Sequence, residues 1–331
     1  MESNYRDKSS ENTVITKQII IRDLEKIGVQ KGDHLGLGIS YKSIGYVKGG
    51  PEAFIDALIS AVGSEGTIMM NAYTKSFYIS EVRFGWTDYV FDPGLTKATT
   101  GLVPETFRKH KNSIRSRHPT NSIVAFGRFA KYLTGDHDEN APAYFPYSRL
   151  SEINGKFLAV GIGDSLVGLR HQAQYAAGLL EVVPWKSAVN FRDNKGKLKT
   201  FVRRDIGGCV KRLPELVAYL RKEGLVTNAT IGNAKAIMVL ARESLEIMTN
   251  LLKNNPEINL CDKALCFWCR EIERRMNLYK RIENPSYFQK NIFLVYLLAV
   301  INWLRGRDNR IITKVRLLNA KKIRISKKKT L

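Results

Sequence analysis

Three groups of residues in this chain have types and spacings that could do chemistry. The first is Ser40-Tyr-Lys-Ser-Ile-Gly-Tyr-Val-Lys-Gly-Gly50, closed by Pro51. Free backbone N–H groups in such a loop, with the positive end of a following helix dipole, form a natural seat for an anion. Gly45, Gly49 and Gly50 would let the backbone come close to a bulky ligand. The same run also reads as an ordinary strand-to-helix turn, and a Gly-rich loop by itself leaves both readings open. The second group is Cys261-x4-Cys266-x2-Cys269, with a lone Cys209 upstream. Thiolates so arranged suit zinc or an iron–sulfur cluster. However, no second Cys-x-x-Cys is present, and Phe267 and Trp268 beside the thiols are the neighbours of core residues. The pattern favours structural thiols, and no metal is assigned. The third group is His118-Pro119 and the polar run Asp136-His-Asp138. Pro119 pushes His118 toward an extended backbone, so this histidine can simply shape a loop. The Asp136–Asp138 run reads as solvated.

Behind these groups stand recognisable elements. Leu35 to Ile39 is an apolar run that predicts a short buried strand leading into Ser40. Phe54, Ile55, Leu58, Ile59 and Val62 recur at helix spacing after Pro51, which suits a first helical turn. An amphipathic helix is predicted over Ile19 to Ile27, stopped by Gly28. Gly63 and Gly66 bracket a turn into a second strand, Thr67 to Met70, giving a strand–helix–strand order and an α/β core. Tyr73 to Pro104 is irregular and aromatic, as the wall or lid of a site would be. Further on, Val103 to Lys109 and His171 to Leu180 read as helices, and Ser122 to Phe126 and Phe157 to Ile162 as strands. Gly232 to Lys253 reads as one long helix with Ala234, Ile237, Met238, Ala241, Leu245, Met248 and Leu252 along one side. The expected organisation is a lead over 1–15, a folded domain over 16–260 and a helical basic extension over 261–331.

The chain has 331 residues, enough for a large core, and a net charge of +22. From Arg270 onward, 17 Lys and Arg face 4 Asp and Glu, so that stretch carries +13 and the body +9. Anionic partners are favoured: cofactor phosphates, nucleotide-linked substrates or acidic lipid. Sparse aromatic residues in the basic stretch argue against nucleic acid. Met1 to Thr13 lacks the pattern of a secretory signal, and four cysteines are too few for a disulfide scaffold. A reducing, cytoplasmic setting is expected. The apolar run Ile292 to Leu304 has 13 residues, short of the about 20 needed to span a bilayer. It reads either as a docked helix or as an interfacial one with Arg305, Arg307, Arg310 and the final lysines at acidic lipid, peripheral to the inner face of the cell membrane. A homodimer is compatible with the sequence.

Several pieces, taken in order, resemble the aminoglycoside 3-N-acetyltransferase family. They are Ser40 to Leu58, Val62-Gly-Ser-Glu-Gly-Thr67, Phe91-Asp-Pro93 with Gly101-Leu-Val-Pro104, and Arg115-Ser-Arg-His-Pro-Thr120 with Ser122. Pro146-Tyr-Ser-Arg-Leu150, Gly155-Lys-Phe-Leu-Ala-Val-Gly161 leading to His171, and Ile231-Gly-Asn-Ala234 complete the series. The resemblance covers roughly residues 17 to 260.

It implies a three-layer α/β/α fold with a central mixed sheet, to which the helical basic C-terminal appendage is added. It implies acetyl-CoA as co-substrate, lying against Ser40, Tyr41, Lys42, Ser43, Ile44, Gly45, Val47, Gly49 and Gly50, with Arg115 and Ser116 beside them. Lys42, Lys48 and Arg115 could supply charge to the phosphates, although such residues are more often solvated. His118, Asp92 and Glu181 are assigned to the acceptor side. Transfer would be to an amine without a covalent enzyme intermediate, with His171 as general base. The family's His-x-x-Glu is here His171-Gln-Ala-Gln174, and a Thr common three residues before the His is Gly168. Gln174 can hold the ring but carries no charge to stabilise an imidazolium. Three functions therefore stand open: N-acetylation of an amino sugar in surface-glycan or nucleotide-sugar metabolism, aminoglycoside N-acetylation, or a catalytically inactive binding or scaffold protein. Aminoglycosides are polycations, so the positive body favours a nucleotide- or lipid-linked acceptor.

Overall fold

The computed structural model describes residues 14–179, 187–204 and 213–261, with Cys266 and Cys269. The expectations for Glu181, Cys209, the run Ile292 to Leu304 and the basic end of the chain lie outside these residues.

The elements follow in chain order. They are α1 (Lys17–Lys26), β1 (His34–Ile39), α2 (Gly50–Val62), β2 (Thr67–Asn71), β3 (Phe77–Tyr78), α3 (Ile79–Arg83) and β4 (Val90–Phe91). Next come α4 (Leu102–Lys109), β5 (Ile114–Arg115), β6 (Ile123–Gly127), α5 (Ala130–Thr134), α6 (Phe145–Glu152), β7 (Lys156–Val160) and α7 (Val167–Ala176). The rest are β8 (Ser187–Arg192), β9 (Leu198–Val202), α8 (Leu213–Lys222), β10 (Thr227–Ile231), β11 (Ala234–Leu240) and α9 (Ala241–Asn254).

A seven-stranded sheet runs in the order β10-β11-β7-β1-β2-β6-β5. β1 is parallel to both β7 and β2, while the outer pairings are antiparallel, so the sheet is mixed. Side-chain alternation splits the core in two. Leu35, Leu37, Ile68, Met70, Leu158 and Val160 face Ile20, Leu24, Phe54, Leu58 and Phe107 of α1, α2 and α4. Met69, Phe157 and Ala159 point the other way, to Leu133, Leu150, Leu169, Met248 and Leu252 of α5, α6, α7 and α9. This is the expected three-layer α/β/α arrangement. Each Leu, Ile or Phe so buried contributes about 1.5–3 kcal/mol relative to exposure. Thr16 caps α1, its hydroxyl accepting from the Ile19 N–H, and Pro51 sits in the first turn of α2.

Two expectations need correction. The long helix over Gly232 to Lys253 is a hairpin strand followed by a helix: Ala234, Ile237 and Met238 belong to β11, and α9 begins only at Ala241. β11 lies between β10 and β7 with Ala236, Ile237, Met238 and Val239 all buried. A strand buried on both faces is continuously apolar and fits a helical period by accident. Gly232, at φ +56°, makes the turn into it. The irregular stretch Tyr73 to Pro104 contains β3, α3 and β4, and its two strands join β8 and β9 in a second small sheet. Its apolar centre is Phe91, Val189, Phe191 and Phe201.

Candidate active site

β1 and β7 are parallel neighbours, so the loops leaving their C-terminal ends must meet. Such ends are where open parallel sheets bind ligands. The Ser40 N–H donates to the Val160 carbonyl over 2.9 Å. The Ser40 and Ser43 hydroxyls lie 2.9 Å apart, and the Ser43 hydroxyl donates to the Gly161 carbonyl. The approach requires glycine: a Cβ on Gly161, which stands at φ +67°, would lie 2.5 Å from Ser43 Cβ. Ile44 and Val47 are buried, so they anchor the turn and could meet a ligand only through their backbone. Tyr41 is half-buried with its ring edge-on to Phe54. Lys42, Lys48 and Gly49 are exposed, so the turn is fixed from behind and open in front.

From the end of β7 the chain enters α7, which carries His171. Its Nδ1 is 2.7 Å from Gln174 Oε1, one helical turn on. The amide oxygen can only accept, so Nδ1 bears the hydrogen and Nε2 is left as the basic nitrogen. Arg170 Nη2 lies 3.2 Å from that Nε2, and the Tyr144 ring packs at 4.7 Å. His171 is buried. Burial, reinforced by the Arg170 guanidinium, holds the imidazole well below the usual histidine range, against the smaller upward pull of Gln174. The ring is therefore neutral near pH 7. Its tautomer leaves Nε2 as the nitrogen that can accept a proton, but that nitrogen faces the Arg170 guanidinium and the cationic form has little support.

The Gly168 position has a steric cause. A Cβ there would lie 1.8 Å from Tyr147 Cζ. Tyr147 is fully buried and its hydroxyl donates to Asn71 Oδ1 over 2.8 Å. The tyrosine ring fills the space that a threonine at 168 would need.

A pair of imidazoles lies nearby. His118 Nδ1 accepts from the Asn121 N–H (2.9 Å) and the Thr120 N–H (3.3 Å), while its buried Nε2 has no partner among the described residues. Its ring stacks on His137 at 4.8 Å and meets Phe201 edge-on. The expectation of a solvated His137 is wrong: it is completely buried, its Nδ1 is 2.9 Å from the Ser116 hydroxyl, and desolvation pulls its pKa down to about 3. Only its neighbours are peripheral, Asp136 pairing with Arg149 and Asp138 capping the Asn140 N–H. Arg203 joins the two regions. Its Nη2 donates to Asn121 Oδ1 over 3.1 Å, and its charge lowers the proton affinity of both His118 and His171.

The remaining expected site residues are committed to the fold. Arg115 donates to Ser122 Oγ, Ala72 O, Pro93 O and Thr96 O, and its guanidinium lies over the Phe91 ring. Those contacts hold the 92–96 loop to the chain just beyond β2 and leave little of the fork for a phosphate. Ser116 is buried, accepting from the Ile123 N–H as well as meeting His137. One oxygen of Asp92 accepts from the Gly94 and Leu95 N–H groups in a local turn. Arg170, Tyr144, Asn121 and Arg203 escaped the sequence reading. Arg170 precedes the histidine without altering its motif, and Arg203 reaches the site only through the fold of β9.

The profile of the aminoglycoside 3-N-acetyltransferase (antibiotic N-acetyltransferase) family matches residues 38–253, which include every element of the site described above. This chain belongs to the aminoglycoside 3-N-acetyltransferase family. Aminoglycoside N(3)-acetyltransferase VIII of Streptomyces fradiae is 35% identical over 179 residues, 49% of this chain. The match spans 62% of that relative's length, so the chain covers under two thirds of it. Among solved structures, a histidine-to-alanine variant of aminoglycoside acetyltransferase AAC(3)-IVa, in complex with a gentamicin, superposes with TM-score 0.68 at 25% identity, over 78% of this chain and 97% of that one. AAC-IIIb, as a binary complex with CoASH, gives TM-score 0.63 at 25% identity, over 73% and 98%. Among the described residues no helix is long and apolar enough to cross a membrane.

Proposed function

We propose that this protein is an acetyl-CoA-dependent N-acetyltransferase acting on the amine of an amino sugar. The observation that carries the reading is His171, with Nδ1 tied to Gln174, on the helix that follows β7, the strand whose end meets the Ser40 turn. Family membership and the coenzyme-bound relative support coenzyme A against that turn, with backbone N–H groups and the exposed Lys42 and Lys48 toward its phosphates. His171 Nε2 takes the proton of the acceptor ammonium, and the freed nitrogen attacks the thioester carbon. The C–N bond forms and the C–S bond breaks; the second proton of the attacking nitrogen passes to the sulfur, the coenzyme leaves as its thiol, and His171 returns its proton to solvent. The Nε2 edge of His118 is the buried donor available to the acceptor.

The gentamicin-bound relative supports an aminoglycoside-type acceptor. The charge of +22 favours instead an anionic acceptor, a nucleotide- or lipid-linked amino sugar of a surface-glycan pathway, with the basic stretch after residue 270 toward acidic lipid. A free-thiol assay with acetyl-CoA against aminoglycosides, nucleotide-linked amino sugars and lipid-linked amino sugars separates these readings. Thiol release with one class, abolished in His171→Ala, identifies the acceptor. Coenzyme A binding with no turnover on any amine overturns the enzymatic reading and leaves a binding protein.

A further inference from the structure

Beyond α9 the chain makes a 3₁₀ turn at Pro256–Asn259 and then presents Cys261. The sulfurs of Cys261, Cys266 and Cys269 all lie within 4.8 Å of one another. None of the three is in a disulfide. We propose that these three thiolates hold a zinc ion.

The spacing of the sulfurs matches what one shared ion requires. Here the Cys261 and Cys269 sulfurs are 3.7 Å apart. A tetrahedral ion with metal–sulfur bonds of about 2.3 Å places its thiolates about 3.8 Å from one another. The Cys261 N–H points at Cys269 Sγ over 3.2 Å, the kind of donor that steadies a thiolate ligand. Cys261 and Cys269 are fully buried, while Cys266 is half-buried and gives the ion a route in. The spacing Cys-x4-Cys-x2-Cys folds three donors around one point and leaves the fourth corner to water or a further donor. An iron–sulfur cluster suits the site less well, because iron and sulfide atoms would hold the cysteine sulfurs further apart.

The position gives the ion a role. Cys261 and Cys269 belong to the same core as Leu216, Val217 and Leu220 of α8 and Leu252 of α9. α9 packs directly on α7, the helix that carries His171. Zinc here staples the chain following Pro256 to the helical layer behind the site, without touching substrate.

The test uses the full chain, purified under reducing conditions from zinc-supplemented medium, with elemental analysis as the first readout. About one tightly held zinc per chain is expected, with a sulfur-rich ligand shell by X-ray absorption and a thiolate-to-metal charge-transfer band after cobalt replacement. Cys266→Ser, the change least disruptive to packing, should lower zinc affinity by at least about tenfold. Should Cys261→Ser fail to fold, metal content and the X-ray absorption ligand shell of the unaltered protein still decide. Zinc far below one per chain, iron with sulfide in its place, a Cys261–Cys269 disulfide in peptide maps, or undiminished zinc affinity in Cys266→Ser would each overturn the proposal.

Discussion

His171 and Gln174 are joined, Nδ1 to Oε1, over 2.7 Å on successive turns of α7. The bond fixes the tautomer as a carboxylate would, but it adds no charge. Gln174→Glu keeps the length and acceptor of the side chain and supplies the charge. The new carboxylate favours the imidazolium, so the His171 pKa moves up from its depressed position. The acid limb of the kcat/KM profile should move to higher pH, and thiol release near pH 7 should rise by about tenfold or more. An unchanged rate and profile would mean that Gln174 only positions the ring and that proton transfer does not limit turnover.

Arg170 opposes the same protonation from the other side. After burial, its guanidinium is the largest influence lowering the His171 pKa. Arg170→Met removes that charge with a side chain of similar reach. The expected result is an upward displacement of the His171 ring-proton titration by NMR, with the thermal midpoint followed in parallel. A titration that stays in place would show that desolvation alone sets the basicity of this ring.

The fold is readable wherever one face of an element is wet. α1, α2 and α4 carry one-sided apolar stripes, and the Ser40 turn is marked by its glycines and Pro51. β11 reads as helix because both of its faces are buried, which erases the period of two. His137 reads as solvated because the flanking Asp136 and Asp138 advertise solvent, while the turn between them sends only the imidazole inward. The His171–Gln174 pair can be placed from the family pattern. Arg203 cannot, because its neighbours Asn121 and His118 are about eighty residues away in sequence and meet it only through tertiary packing.

The buried imidazoles predict how stability depends on pH. Desolvation lowers the folded-state pKa of His118, His137 and His171 below the ordinary value of 6.5, that of His137 to about 3. Below pH 6.5 the unfolded chain binds protons that the folded chain refuses. Their stabilising contribution is therefore complete above 6.5 and is lost as pH falls toward the folded values. Each can remove up to about 1.4 kcal/mol per pH unit in that window. Urea unfolding should give a stability at pH 5 lower than at pH 7.5 by about 3 kcal/mol or more. A flat profile across this range would show that these rings take up protons while folded.

Gly168 and Tyr147 compete for one volume, and a double-mutant cycle measures the competition. With a Cβ placed 1.8 Å from Tyr147 Cζ, Gly168→Ala must displace a buried ring and strain its hydroxyl bond to Asn71. The substitution would otherwise favour the helix, by roughly 1 kcal/mol, because alanine is the better helix former. Overpacking should outweigh that gain, giving a net loss of about 1–3 kcal/mol and a lower thermal midpoint. Tyr147→Leu empties the space at the cost of its own packing and hydroxyl bond. In that background Gly168→Ala should be neutral or stabilising, a coupling of about 1–3 kcal/mol between the two positions. Additive losses would mean that α7 shifts as a body to admit the methyl group, and the absence of threonine from position 168 would then need a cause other than the tyrosine ring.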